Sequence, residues 1–83
     1  MARYTVQFKP RALKDLKAIP TADQQRILGK VELLVDGLQG DVKRLTDFTP
    51  EYRLRVGPWR LLFEIAKTGI IVYRIVRREK AYR

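Results

Sequence analysis

Apolar and polar residues alternate from Arg3 to Phe8, with Tyr4, Val6 and Phe8 against Arg3, Thr5 and Gln7. A period of two carried by aromatic and β-branched residues predicts a strand. Lys9-Pro10 ends it, and Pro10 suits the first position of a helix. From Arg11 to Ile19 the apolar residues Ala12, Leu13, Leu16 and Ile19 fall on one side among Lys and Arg, which predicts a short amphipathic helix stopped near Pro20. Thr21 followed by Gln24 has the form of a capping box and predicts the start of a second helix. Its apolar positions Ile27, Val31, Leu34 and Leu38 step by four, three and four, a single helical face. Gly37 and Gly40 supply stop signals.

Beyond residue 42 the period changes to two. Lys43, Arg44 and Leu45 are a candidate short strand before the turn-like Thr46-Asp47-Phe48-Thr49-Pro50. Glu51 to Val56 alternates, Tyr52, Leu54 and Val56 against Glu51, Arg53 and Arg55. Gly57-Pro58 is a turn signal. Trp59 to Ile65 predicts a strand with Trp59, Leu61, Phe63 and Ile65 on the core side, and Lys67-Thr68-Gly69 turns the chain again. Ile70 to Val76 is an almost continuous apolar strand interrupted only by Arg74, and Arg77 to Arg83 is a polar, basic tail. The order β-α-α-β-β-β, with helices segregated from a mostly antiparallel meander, predicts an α+β two-layer sandwich. The helical hairpin should pack its second helix on the face carrying Tyr52, Leu54, Leu61 and Phe63. At 83 residues the expected organisation is one domain spanning 1–83.

Composition narrows the chemistry. There is no cysteine, no histidine and no serine. Disulfides, thiolate nucleophiles and zinc–cysteine clusters are excluded, and so are the commonest general acid/base and metal ligand. No metal or cofactor is expected. Any catalysis must come from Arg, Lys, Tyr, Thr or carboxylates. No apolar run resembles a signal peptide or membrane span, so the expected location is the cytoplasm, without membrane partners.

Charge supplies the positive clue. Eighteen Lys and Arg against nine Asp and Glu give a net +9, a field that attracts polyanions. Residues 1–42 carry seven basic and five acidic groups, whereas residues 43–83 carry eleven and four, so most of the excess lies in the second half. A loop of two or four residues around Gly57-Pro58 sets Arg55 opposite Arg60 and Arg53 opposite Leu62, and the three arginines then share the face away from the helices. Like charges opposed across strands destabilise by roughly a few tenths of a kcal/mol. A solvated outer face explains them at the cost of that repulsion; an anion site uses it, because the planar fork of Arg binds phosphate oxygens at two points. Trp59 is read as core or rim packing, Glu64 as the ion-pair partner of Arg60, and Glu51 and Glu64 as the only carboxylates nearby.

Four segments together resemble the RelE/ParE superfamily of bacterial and archaeal toxins over essentially the whole chain. They are the opening strand with Ala12 to Leu16 (Ala-Leu-Lys-Asp-Leu), Tyr52-Arg53-Leu54-Arg55-Val56, Trp59 to Ile65, and Val76 to Arg83. The resemblance implies a type II toxin, closest to the RelE-type enzymes, that cleaves mRNA in the ribosomal A site as an endoribonuclease. In such members the 2′-hydroxyl attacks the adjacent phosphate and leaves a cyclic phosphate. By the same resemblance Arg53 and Arg55 match two basic strand residues, and Arg60 matches the phosphate-holding arginine. Arg78 matches the C-terminal basic residue that stabilises charge or protonates the leaving group, with Arg77 beside it as the alternative. Tyr82 matches the tyrosine that stacks on a base or moves a proton. Arg77, Lys80 and Lys43 are candidate substrate contacts.

The implied partners are a cognate acidic antitoxin, with the toxin a monomer inside a hetero-oligomeric complex, and the ribosome with its mRNA. The chain departs from members that use a glutamate near Lys43 and a C-terminal histidine, so it resembles the histidine-poor, arginine-rich variety. Two alternatives stay open: a ParE-like gyrase inhibitor, and a catalytically inactive basic module of the same fold.

Overall fold

The computed structural model describes residues 3–46 and 49–81. The elements run β1 (Thr5–Phe8), α1 (Pro10–Lys17), α2 (Thr21–Val35), β2 (Asp41–Arg44), β3 (Tyr52–Val56), β4 (Trp59–Ala66) and β5 (Gly69–Arg77), followed by a 3₁₀ turn at Arg78–Lys80. They form a two-layer α+β sandwich, with two helices on one five-stranded mixed sheet. The candidate strand after residue 42 is real and begins two residues earlier, at Asp41, so the meander has four strands rather than three.

Strand order is β1-β5-β4-β3-β2. β1 pairs parallel with β5, and every other pairing is antiparallel. The helical hairpin therefore carries the chain from one edge of the sheet to the other. α1 packs against β5 and β1, and α2 against β3. Beneath them lie Ala12, Ile27, Val31 and Leu34 from the helices and Leu54, Leu61, Phe63, Ile70 and Val72 from the strands, all buried. Tyr52 stacks on Phe63 with ring centroids 5.6 Å apart. Emptying so dense a core is expensive: truncating a buried Phe to Ala costs about 3–5 kcal/mol, against total domain stabilities of about 5–15 kcal/mol.

Local signals held unevenly. α2 opens without the expected capping box: Pro20, not Thr21, is the N-cap, and no side chain caps the helix. Thr21 is already helical, so its hydroxyl cannot play the part of an N-cap. Gln24 still reaches back, donating from Nε2 to the Ile19 carbonyl at 2.7 Å. At the other end α2 stops at Val35, and the N–H groups of Leu38 and Gln39 close on the carbonyls of Leu34 and Leu33. Leu38 is thus half-buried beyond the helix rather than on its face.

One irregularity organises β5. Leu62 pairs with Arg74 but Phe63 with Val72, which leaves Tyr73 as an extra residue opposite the gap. This bulge resets the alternation, so that Val72 and, three residues later, Ile75 both face the core. No helix among the described residues is long and apolar enough to cross a membrane.

Candidate phosphate-binding face

The β3–β4 hairpin aligns the arginines. Gly57 has φ +58° and Pro58 follows it with its ring-locked negative φ, the pattern of a two-residue turn that suits hairpin twist. The register is Arg55 opposite Arg60 and Arg53 opposite Leu62, as the alternation predicts. Residues directly opposed across an antiparallel pair share a face. Following the register outward gives two rows on the face away from the helices. The first is Asp41, Arg55, Arg60, Val76 and the second Lys43, Arg53, Leu62, Arg74.

Each arginine of these rows has a different state. Arg60 is only 6% exposed. Its Nη1 donates to the carbonyls of Gly57 at 2.8 Å and Trp59 at 2.9 Å, so the guanidinium folds back over its own hairpin. It has no ion pair with Glu64 among the described residues, contrary to expectation. Four residues along a strand span about 13 Å, too far for that pair. Arg53 has a side chain 15% exposed. Its Nη1 donates to the Asp41 backbone carbonyl at 2.9 Å and to Asp41 Oδ1 at 3.2 Å. Its Nε is buried with no hydrogen-bond partner among the described residues. Arg55 is open, 56% exposed, and its Nη1 lies 3.7 Å from Asp41 Oδ2. The opposed charges of Arg55 and Arg60 are tolerated because each faces an oxygen: a carboxylate for one, carbonyl dipoles for the other.

Asp41 was not among the carboxylates expected here. It lies in β2, whose register across the intervening loop cannot be read from alternation alone.

The tail docks against the same hairpin. The Arg78 N–H donates to the Pro58 carbonyl at 2.9 Å, and Ala81 is buried. Arg78 and Lys80 are exposed in the 3₁₀ turn, and Lys43 is exposed opposite Arg53. Arg77 pairs in register with Trp59 and so sits on the other face of the sheet. Its guanidinium lies 5.3 Å from the centre of the Trp59 ring, and its Nε is 3.4 Å from Glu79 Oε2. Trp59 is a core residue, with its indole N–H donating to Asp23 Oδ2 at 3.1 Å. Tyr82 lies outside the described residues. The structure thus brings Arg53, Arg55, Arg60 and Lys43 onto one face and anchors the backbone of Arg78 at its hairpin tip, while Arg77 is turned away.

Sequence reasoning also missed Asp15. It accepts from Arg74 Nε at 2.7 Å and Nη2 at 3.2 Å, and from the Ile75 N–H at 3.0 Å. The hydrogen bond with Asp15 raises Arg74 above the ordinary arginine value, and partial burial offsets some of that rise. Among the described residues no three His, Cys, Asp or Glu side chains are grouped to hold a metal ion.

A two-helix layer on a five-stranded sheet whose far face carries arginines defines a small basic α+β protein with a candidate anion-binding surface. The family model described as the ParE toxin of the type II toxin-antitoxin system parDE matches residues 6–82. A relative named RelE1 in Methanocaldococcus jannaschii is 31% identical, over 98% of this chain and 97% of its own. Among solved structures, the RelB-RelE antitoxin-toxin complex from Methanococcus jannaschii superimposes with a TM-score of 0.73 at 29% identity, covering 87% of this chain and 89% of that one. The archaeal RelE-RelB complex from Pyrococcus horikoshii OT3 gives a TM-score of 0.77 over 95% of this chain and 99% of that one; at 24% identity it speaks for the fold. The chain belongs to the RelE/ParE superfamily of type II toxin-antitoxin toxins.

Proposed function

We propose that this toxin is a ribosome-dependent mRNA endonuclease of the RelE type. The observation that carries the reading is the cross-strand alignment of Arg55 with Arg60, flanked by Arg53 and Lys43, on the sheet face away from α1 and α2. Such a face suits a phosphate whose charge grows during reaction. The 2′-hydroxyl gives its proton to water as its oxygen bonds to the adjacent phosphorus, the bond to the 5′-oxygen breaks with a proton taken up there, and a cyclic phosphate remains. Arg55 offsets the growing charge, and Arg60 and Arg53 join it on release from the hairpin carbonyls and from Asp41. Arg78 stabilises the same charge or protonates the departing 5′-oxygen, and Tyr82 stacks on the base. Arg78 is preferred to Arg77, which is occupied by Trp59 and Glu79 on the opposite face. With no histidine to move protons, the ribosome is assigned the alignment of the RNA.

The partner is an acidic antitoxin, suited to a chain of net charge +9. The RelB-RelE antitoxin-toxin complex from Methanococcus jannaschii supports an antitoxin partner; we infer that the toxin is a single copy inside a hetero-oligomer and works in the cytoplasm. A second reading, inhibition of gyrase, is favoured by the ParE description of the matching family model.

The test is induced expression with mapping of mRNA 5′ ends on ribosomes and, in parallel, scoring of double-strand DNA breaks. Cleavage within A-site codons, lost in Arg55→Ala, is expected. Intact mRNA with gyrase-dependent breaks would establish the second reading. Unchanged growth would leave only a basic binding module.

A further inference from the structure

The two arginine rows on the sheet face away from the helices contain eight positions, and only one holds a carboxylate. Five hold Lys or Arg, of which Arg74 is taken by Asp15. Asp41 stands among the remaining four. Its two carboxylate oxygens are split between two guanidinium groups, Oδ1 at 3.2 Å from Arg53 and Oδ2 at 3.7 Å from Arg55. Two oxygens on one centre bridging two arginines is the arrangement expected of the non-bridging oxygens of a phosphodiester.

We propose that Asp41 is a built-in competitor for RNA: its carboxylate occupies, in the free protein, the position that one substrate phosphate takes between Arg53 and Arg55. The inference rests on the phosphate-binding reading of this face. Arg53 supports it. Its Nη1 already serves two acceptors of Asp41, and its Nε is buried without a partner among the described residues, so this guanidinium is not in the state it would have with a ligand across it. A phosphate that reaches Arg55, the open member, must displace the carboxylate to reach Arg53 as well. On a chain of net charge +9 the device lowers affinity for any stray polyanion. It favours an RNA already held in place, whose second contacts do not have to be won from solution.

The experiment measures fluorescence anisotropy of a short fluorescein-labelled single-stranded RNA against purified wild type, Asp41→Asn and Glu32→Gln, across roughly 50 to 300 mM KCl. Glu32, on α2 away from this face, removes the same unit of charge and controls for net charge. Asp41→Asn should bind roughly two- to fivefold tighter than both others at low salt, the range expected for removing an exposed ion pair's competition. Its log–log salt slope should match that of wild type, since the bound state makes the same phosphate contacts in both. Tightening equal to that of Glu32→Gln overturns the proposal, because net charge alone then accounts for it. Weaker binding by Asp41→Asn overturns it too, since Asp41 would then be holding Arg53 in place for the RNA. If the wild type binds RNA with no salt dependence, the phosphate-binding face itself falls, a result distinct from either.

Discussion

Asp15 and Arg74, fifty-nine positions apart in sequence, are joined by two hydrogen bonds of 2.7 and 3.2 Å, and the same carboxylate accepts the backbone N–H of Ile75. β1 pairs with β5 only as far as Val72. Beyond it the strand's outer edge would present a donor to no acceptor, and α1 supplies one. Asp15→Ala leaves that donor and the guanidinium unmatched, and should lower stability by about 1–3 kcal/mol in urea unfolding. Asp15→Asn, which keeps one acceptor oxygen, should lose less. A cation raised in the folded state contributes below its unfolded value and loses that contribution only as pH rises through the folded one. For Arg74 this lies beyond the working range, so no alkaline loss from this pair is expected up to about pH 10.

Arg60 and Arg55 oppose each other in register but should respond differently to mutation. Arg60→Ala uncovers the carbonyls of Gly57 and Trp59 inside the hairpin, and about 1–3 kcal/mol of stability should go with activity. Arg55→Ala removes an exposed group, and its stability should stay within about 1 kcal/mol of wild type while mRNA cleavage falls. Denaturant midpoints measured beside cleavage separate the two effects.

At Gly57 the backbone, not crowding, sets the cost of a side chain. A Cβ there would lie 3.1 Å from Arg26 Nη1, the far end of a side chain that can swing aside. The φ of +58° remains, and Gly57→Ala should cost about 1–2 kcal/mol. Gly57→Asn, whose side chain tolerates this region, should cost visibly less. Thermal unfolding of the pair checks the ordering.

Glu79 provides the pH-dependent signal. The hydrogen bond from its own backbone holds its carboxyl below the ordinary glutamate value; slight desolvation opposes this, and the charge of Arg77 adds to it. A carboxylate depressed in the folded state contributes stability above its unfolded value and loses it as pH falls through the folded one. The 3₁₀ turn should therefore loosen only in acid, below about pH 4.3, the ordinary glutamate value. In an NMR titration the Glu79 midpoint should rise in Arg77→Ala without reaching the ordinary value, because the backbone bond remains.

Strand content and the faces of β3 and β4 were legible because each face is read by a period of two and the Gly57-Pro58 loop leaves one register open. Arg55 opposite Arg60 followed from that alone. Alternation could not say that Arg60 folds back onto carbonyls, since burial of a long side chain depends on what its own turn offers. Asp41 and Asp15 were illegible for a related reason. Each meets its partners across elements joined by loops or helices, where spacing along the chain no longer measures distance. The Thr21–Gln24 box failed because Pro20 already supplied the entry geometry.

The surplus residue at Tyr73 works as a phase shifter. Upstream of it Ile70 and Val72 keep time with the core; downstream the beat is displaced by one, which is why Ile75 points inward and Arg74 and Val76 fall into the rows beside Leu62 and Arg60. A chain shortened by that single residue would invert everything from position 74 to 77, turning Ile75 out to water and an arginine in among leucines. The arginine face is therefore built on counting as much as on chemistry, and insertions or deletions in β5 should be tolerated only where they come in pairs.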